Sequence, residues 1–232
     1  MLVDPRKNAT PDPADYTAKR DYDLDHRVTV TSDAAGNTTT TEYDRDGLAV
    51  ATTDEEGNRS SLAYDARGAV VEQRVPHEND GGTIVYNTTR FEYDQVGNRT
   101  KVITPRGVAT ESVADDFIHQ TVYDELNRVK EEWTPYDPAD ARYDKPDKTI
   151  YSYDPVGRLA NVSAPPSSGE SVRNETGYTY WDNGWTKTST DPWDIVTSYD
   201  YNLLGQQTEN TLSSAGGSVS RTMRWEFFPA GI

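Results

Sequence analysis

Cysteine is missing from this sequence, which excludes disulfides, thiolate nucleophiles and cysteine-bound metals and leaves the redox compartment open. Apolar residues are scarce: they make up 34% of the 232 residues, and mean hydropathy is −0.86. A compact soluble domain ordinarily draws on ~45–50% apolar residues with glycine counted in. No apolar run approaches the ~18 residues that a membrane-crossing helix needs, so no membrane span is expected. The opening Met1-Leu2-Val3-Asp4-Pro5-Arg6-Lys7 lacks the apolar core of a secretory signal. Basic residues are outnumbered 39 to 23, so the net charge is −16. Such a chain has no general positive field for a polyphosphate, and nucleic acid is not an expected partner. His26, His77 and His119 are widely scattered, and no Ser-His-Asp set or glycine-rich phosphate loop is present. Helical periodicity bounded by caps is also wanting; residues 112–118 are the nearest candidate.

Low hydrophobicity with high net charge is the signature of disorder. Yet 15 tyrosines, five tryptophans and four phenylalanines do not fit a solvated coil. A repeat decides between the two. Tyr22-Asp23-Leu24-Asp25-His26-Arg27 returns as Tyr43-Asp44-Arg45-Asp46-Gly47, Tyr64-Asp65-Ala66-Arg67-Gly68, Tyr93-Asp94-Gln95-Val96-Gly97-Asn98, Tyr123-Asp124-Glu125-Leu126-Asn127-Arg128 and Tyr153-Asp154-Pro155-Val156-Gly157-Arg158. Weaker copies are Tyr180-Trp181-Asp182-Asn183-Gly184, Tyr201-Asn202-Leu203-Leu204-Gly205 and Phe227-Phe228-Pro229-Ala230-Gly231. The aromatic positions are 21, 21, 29, 30, 30, 27, 21 and 26 residues apart, a 21-residue unit with insertions. Between them a second turn recurs at Asp33–Asn37, Asp54–Asn58 and Thr104-Pro105-Arg106-Gly107. Turns every ~8–12 residues belong to an all-β chain of short strands.

The turn has a mechanism. The Asp after Tyr accepts hydrogen bonds from nearby backbone N–H groups, and Gly three residues on supplies positive φ at little cost. Asn127 is the next most tolerant residue for that place, and His26 the poorest fit. The intervening segments, such as Val28-Thr29-Val30-Thr31 and Lys148-Thr149-Ile150-Tyr151-Ser152-Tyr153, suit a pleated surface. The expected fold is all-β: an antiparallel meander of repeated β-hairpins, roughly 16 to 18 strands, curving into a spiral or shell-wall-like sheet because open twisted sheets rarely exceed ~10 strands without curling or splitting. Residues 1–21 are expected as an extended lead-in arm and 22–232 as the repeat array of about nine copies. A single sheet with two partly wet faces also accounts for the shortage of apolar residues.

Tyr-Asp-x-x-Gly-Arg-Leu, as in Tyr153 to Leu159, followed about ten residues later by a second Gly turn, resembles the Rhs/YD repeat. The resemblance runs from about residue 22 to 231 and is specific because it recurs. Members of that family are large bacterial secreted or surface polypeptides, with related repeats in insecticidal toxin complexes and in teneurins. The resemblance implies a strand spiral wound into a hollow shell that encloses a toxin domain, and a secreted or cell-surface setting. The chain departs from full-length members in three ways. It is too short to close a cage, ends within a copy, and lacks the self-cleaving plug and variable effector domain. An excerpt would expose two sheet edges, so self-association through those edges, or capping by local segments, is expected.

Other readings compete residue by residue. Asp44-Arg45-Asp46-Gly47, with Glu55 in the twelfth position, begins like a calcium loop. Ala49-Val50-Ala51-Thr52 between them reads as strand, which favours a structural turn. Asp115-Asp116, Glu131-Glu132 and Asp54-Glu55-Glu56 qualify by type as acid–base pairs, but adjacent strand residues point to opposite faces. No catalytic residue, metal or cofactor is expected. Trp181, Trp185 and Trp193, with Tyr178, Tyr180, Tyr199 and Tyr201, form an aromatic stretch. Trp and Tyr platforms stack on sugars or anchor proteins. The possible ligand or partner contacts are therefore Trp181, Trp185, Trp193, Tyr178 and Tyr199. Against this, the repeat tyrosines could stack on one another as an internal ladder. Residues 76–82, 136–147 and 165–169, rich in Pro, Asp, Ser and Gly, read as exposed loops. The expected function is a non-enzymatic shell segment that encloses or displays a partner polypeptide. A surface module for glycans or a receptor, working through residues 178–201, is the alternative.

Overall fold

The computed structural model describes residues 2–3, 17–80, 83–110, 116–137, 139, 147–167, 171–214 and 220–227. The chain divides into two compact units, 1–117 and 118–232. In the first, β1 (Leu2–Val3), β2 (Thr17–Tyr22), β3 (Val28–Ser32), β4 (Thr38–Tyr43), β5 (Ala49–Thr53), β6 (Arg59–Tyr64), β7 (Val70–Asp80), β8 (Thr83–Tyr93) and β9 (Arg99–Ile103) are followed by the short helix α1 (Pro105–Ala109). The second holds β10 (Ile118–Tyr123), β11 (Val129–Trp133), β12 (Lys148–Tyr153), β13 (Leu159–Ala164), β14 (Asn174–Tyr180), β15 (Thr186–Thr190), β16 (Ile195–Tyr201), β17 (Gln207–Ser214) and β18 (Ser220–Arg224). In each unit, every strand pairs antiparallel with the next in sequence. The fold is thus an all-β meander of repeated hairpins. The strand Thr17–Tyr22, paired with β3, begins within residues 1–21, the stretch expected as a lead-in arm, and ends on the first repeat tyrosine.

There is almost no dry core. Among the described residues, Ala51 is the one buried apolar side chain, beside buried Asp116 and Ser163. Order comes from the turns and from linkages between hairpins. At Asp124 the backbone closes twice: Asp124 N–H donates to Arg128 O and Asn127 N–H to Asp124 O, with Asn127 at φ 59°. The Asp124 carboxylate then accepts from Leu126 N–H, Arg128 N–H and Arg128 Nε. His26, the poorest candidate for its place, still takes the left-handed conformation at φ 64°.

Behind every Tyr turn the register slips by one residue. Tyr153 faces Leu159, but Ser152 faces Asn161, so Ala160 is an extra residue, a β-bulge. The same slip follows Tyr22, Tyr43, Tyr64, Tyr93, Tyr123, Tyr180 and Tyr201. The second-type turns at Asp33 and Asp54 show no slip. The bulge has a consequence for the next strand. Pairing of β13 with β14 stops at Asn161 opposite Gly177, which leaves the Leu159 carbonyl beyond the ladder. Tyr180 Oη donates to that carbonyl at 2.7 Å. Tyr43 does the same for Val28, Tyr64 for Ala49, Tyr93 for Val70 and Tyr153 for Val129, at 2.7–2.9 Å. Each of these five tyrosines therefore ties its turn to the bulge of the hairpin before it. The tyrosine ladder runs through hydroxyl-to-carbonyl bonds, not through stacked rings.

Two segments differ from expectation, and others lie partly outside the described residues. Thr104 to Gly107 is not a tight glycine turn: α1 stands there, packed against β8 and β9, and a Cβ on Gly107 would lie 2.9 Å from the Asp116 carbonyl oxygen. Of the helical candidate at 112–118, residues 112–115 lie outside the described residues and Ile118 opens β10. Of the insertion at 76–82, residues 76–80 lengthen a strand instead of forming a loop, with β7 and β8 paired out to Asp80 and Thr83, and 81–82 lie outside the described residues. Of the other two insertions, 138, 140–146 and 168–169 lie outside the described residues.

Candidate functional site

At several boundaries between consecutive repeats, the residue four places after the turn-opening Asp reaches across to the next turn. Arg27 binds Asp23 Oδ2 through Nε, reaches the Asp44 carbonyl with Nη1, and lies 4.8 Å over the Tyr43 ring. Arg128 lies 4.2 Å over Tyr153, and Arg158 lies 4.6 Å over Tyr180 while donating to the Trp181 carbonyl. The same side chains cover the glycine of the next turn. A Cβ at Gly47 would meet Arg27 at 3.5 Å, one at Gly68 would meet Leu48 at 3.7 Å, and one at Gly157 would meet Arg128 at 3.4 Å. The carboxylates in these clips are held below their ordinary pKa. For Asp124 the Arg128 side chain is the largest cause, ahead of the Arg128 backbone N–H. For Asp23 the Arg27 backbone N–H leads. Outside the turns, Arg59 lowers Glu42 and Lys148 lowers Glu131 in the same sense.

The boundary between the turn at 181–185 and Tyr201 breaks this pattern. Trp181 replaces the turn-opening Asp, and Trp185 replaces the arginine. Trp185 still packs over the next tyrosine, with its ring 5.1 Å from the Tyr201 ring and tilted by 44°. It still covers the next glycine, so closely that a Cβ on Gly205 would lie 2.9 Å from Trp185 Cζ2. The turn's missing carboxylate is replaced by Asn183 Oδ1, which accepts Trp185 N–H at 3.1 Å. Trp181 Nε1 donates to the Tyr199 carbonyl, and Lys187 Nζ stands 4.7 Å from the Trp181 ring centroid. Beside the two tryptophans opens a cleft of about 390 Å³, lined by Trp181, Asp182, Asn183, Trp185, Asp200 and Tyr201.

The aromatic residues singled out from sequence divide accordingly. Trp181 and Trp185 line the cleft. Trp193 does not: it is 79% exposed in the turn Asp191–Ile195, at the opposite end of β15. Tyr178 and Tyr199 lie along the strands, where Tyr178 faces Ser189 and Tyr199 Oη bonds Ser189 Oγ at 3.1 Å. Sequence reasoning passed over Asp182, Asn183 and Asp200 as cleft residues. The available signal was the double loss of Asp and Arg in one copy of the repeat. The Asp191–Ile195 turn, with Asp194 at φ 59° in place of glycine, was also missed.

The other sequence candidates are engaged structurally. Asp44 Oδ1 accepts Asp46 N–H and Leu48 N–H, and Glu55 belongs to the following turn. Glu131 pairs with Lys148 at 2.9 Å, while Glu132 accepts from Tyr151 Oη, whose pKa is pushed up to about 12 chiefly by that bond. No group of three or more His, Asp or Glu able to hold a metal occurs among the described residues. Among those residues no helix is long and apolar enough to cross a membrane.

Residues 43–77 match the family model of the RHS Repeat. No curated protein sequence matches the chain. Among solved structures, the TcdB2-TccC3 crystal structure aligns with a TM-score of 0.63 at 20% identity, over 88% of this chain and 12% of that one. The Tc holotoxin pore of Photorhabdus luminescens aligns with a TM-score of 0.60 at 22% identity, over 81% of this chain and 9% of that one. The TcdB2-TccC3-Cdc42 structure gives 0.59 at 21% identity, over 81% and 10%. At these identities the likeness is one of fold, and this chain spans about a tenth of each relative's length.

Proposed function

We propose that this chain is a non-enzymatic segment of an Rhs/YD-type shell, with an array of repeats over 22–232 that walls off or displays another polypeptide. The observation that carries the reading is the linkage from tyrosine hydroxyl to bulge carbonyl, repeated at Tyr43, Tyr64, Tyr93, Tyr153 and Tyr180. It joins each hairpin only to its neighbour, so hairpins extend a wall without a central core. The RHS repeat at 43–77 and the fold shared with toxin-complex proteins support the same reading. A bacterial secreted or cell-surface setting follows from it, and the partner is the remainder of a larger toxin-type polypeptide. Sheet edges are the places where this segment would join further repeats or a second copy. The test is expression of the complete reading frame, electron microscopy of the product and limited proteolysis. A closed particle that shields an internal polypeptide from protease is the expected result. A product in which every part is digested at the rate of an open chain would overturn it. Surface recognition of a glycan or receptor through 178–201 is the second reading, favoured by the cleft beside Trp181 and Trp185.

A further inference from the structure

The copy of the repeat that opens with Trp181 carries an aromatic ring where three other copies carry an arginine. In three other copies a guanidinium stands at this boundary, over the next tyrosine ring and against carboxylate or carbonyl oxygen: Arg27 with Tyr43, Arg128 with Tyr153 and Arg158 with Tyr180. At the boundary before Tyr201, Trp185 takes that position; the six residues lining the cleft include no lysine or arginine, and the neighbouring cation, Lys187, stands against the Trp181 ring. Two carboxylates remain there, on Asp182 and Asp200. Two carboxylates at the place of Asp200 in other copies are paired, Glu42 with Arg59 at 2.9 Å and Glu92 with Lys101 at 3.7 Å. Asp200 instead faces Glu209 across the β16–β17 ladder, and Glu209 is itself engaged by Arg224. Tyr201 also departs from its equivalents. Pairing of β15 with β16 stops at Thr188 opposite Ser198, yet among the described residues the Tyr201 hydroxyl makes no bond to the bulge at Thr186.

We propose that the cleft between Trp181, Trp185 and Tyr201 binds a guest guanidinium group, held by the carboxylates of Asp182 and Asp200 and by the aromatic faces. The arginines of the other copies show that a guanidinium suits this place in the fold. Its planar fork matches carboxylate oxygens and lies against aromatic rings, which an ammonium does less well. Asn183 Oδ1 is already taken by Trp185 N–H, so the remaining anionic acceptors are the two carboxylates. A neutral sugar would also stack on tryptophan, but would leave both carboxylates without a counter-charge. The guanidinium could belong to a small free molecule or to an arginine side chain of a bound peptide. This inference stands apart from the shell reading, because a cleft on one copy of the repeat neither requires nor forms a closed particle.

The test follows the indole N–H signals of Trp181 and Trp185 by NMR while the chain is titrated. One arm uses agmatine, a second an acetylated and amidated Gly-Arg-Gly peptide, and controls use the citrulline peptide and methyl glucoside. Saturable shifts are expected for the two guanidinium probes, with a dissociation constant on the order of 1 mM. The tighter of the two probes then identifies the source. Asp182→Asn and Asp200→Asn should each weaken binding about 2–5-fold, and raised salt should weaken it further. Trp185→Arg restores the arginine of the other copies and should abolish binding, with the fold checked by far-UV circular dichroism. Tyr178→Phe should leave binding unchanged. Flat titrations with both guanidinium probes, an equal response to citrulline or methyl glucoside, or indifference to the two Asp→Asn changes would overturn the proposal.

Discussion

The linkage from Tyr153 to the Val129 carbonyl is a single hydrogen bond that a conservative change removes cleanly. Tyr153→Phe keeps the ring, and with it the stacking of Arg128 at 4.2 Å from the ring centroid. What disappears is the hydroxyl that donates to Val129 O at 2.7 Å. Because pairing of β11 with β12 ends at Glu131 opposite Ile150, no strand N–H takes over that carbonyl. A net loss of about 1 kcal/mol is expected, with about 0.5–1.5 as the range for one such bond. All five tryptophans lie between residues 133 and 225, so tryptophan fluorescence reports on the second unit alone. In urea, with a slope of ~1–3 kcal/mol/M, the midpoint should fall by about 0.5 M with the slope unchanged. Tyr180→Phe, which removes the bond to Leu159, should cost a similar amount. Tyr178→Phe is the control: among the described residues its hydroxyl has no partner, so its midpoint should not move. If Tyr153→Phe and Tyr178→Phe behave alike, the hydroxyl linkage does not hold the hairpins together, and ring packing does.

Three further outcomes follow from the same contacts. Turn and cross-strand carboxylates such as Asp23, Asp54, Asp65, Asp124, Glu42 and Glu209 have folded pKa values below the ordinary 3.8 or 4.5. They bind fewer protons folded than unfolded in that window, so the stability they give is full above about pH 4.5 and is lost as pH falls through the depressed values. Thermal melts should therefore be flat from about pH 7 to 5 and drop steeply below about pH 4; an early drop between 7 and 5 would contradict this. Arg173 donates to Ser163 Oγ, to the Ser163 and Lys148 carbonyls and to Asp147 Oδ1, so Arg173→Ala should cost about 2 kcal/mol in urea unfolding. Gly205→Ala meets both a φ of 79° and the Trp185 ring at 2.9 Å, whereas Gly57→Ala meets a φ of 86° and open space. Gly205→Ala should thus shift the Trp185 indole signal and cost more than the ~1–2 kcal/mol expected for left-handed backbone at Gly57.

Much of this fold is legible in the sequence because the turn chemistry is local. Asp, two residues and Gly dictate a left-handed residue at a fixed offset, and even His26 and Asn127 obey it. The hairpins then follow from spacing alone. The bulge after each tyrosine was not legible, because an extra strand residue leaves no compositional mark: Thr29, Ala160 and Lys187 share no chemistry. Without the bulge, the tyrosine hydroxyl has no carbonyl waiting, and ring stacking looks as good as hydrogen bonding. Helix α1 escaped for a related reason. Gly107 was read as a turn glycine, but it serves close approach to the Asp116 carbonyl, a long-range contact that no local pattern reports.

The candidate site was legible only as a stretch of tryptophans, because residue type says what could bind and not which rings share a cleft. Trp193 has the right chemistry and sits at the wrong end of β15, while Asp200 looks like ordinary surface charge and lies beside Trp181 and Trp185. In a repeat protein a better guide is the place where a copy breaks the rule its neighbours keep. Wherever Asp opens a turn and Arg follows four residues on, their chemistry is explained by the boundary they fasten. Trp181 and Trp185 still perform the packing half of that work, over Tyr201 and Gly205, without the charge. The charge is the part that was exchanged, and the unpaired carboxylates beside it are what make a cation, and not merely an aromatic platform, the expected occupant.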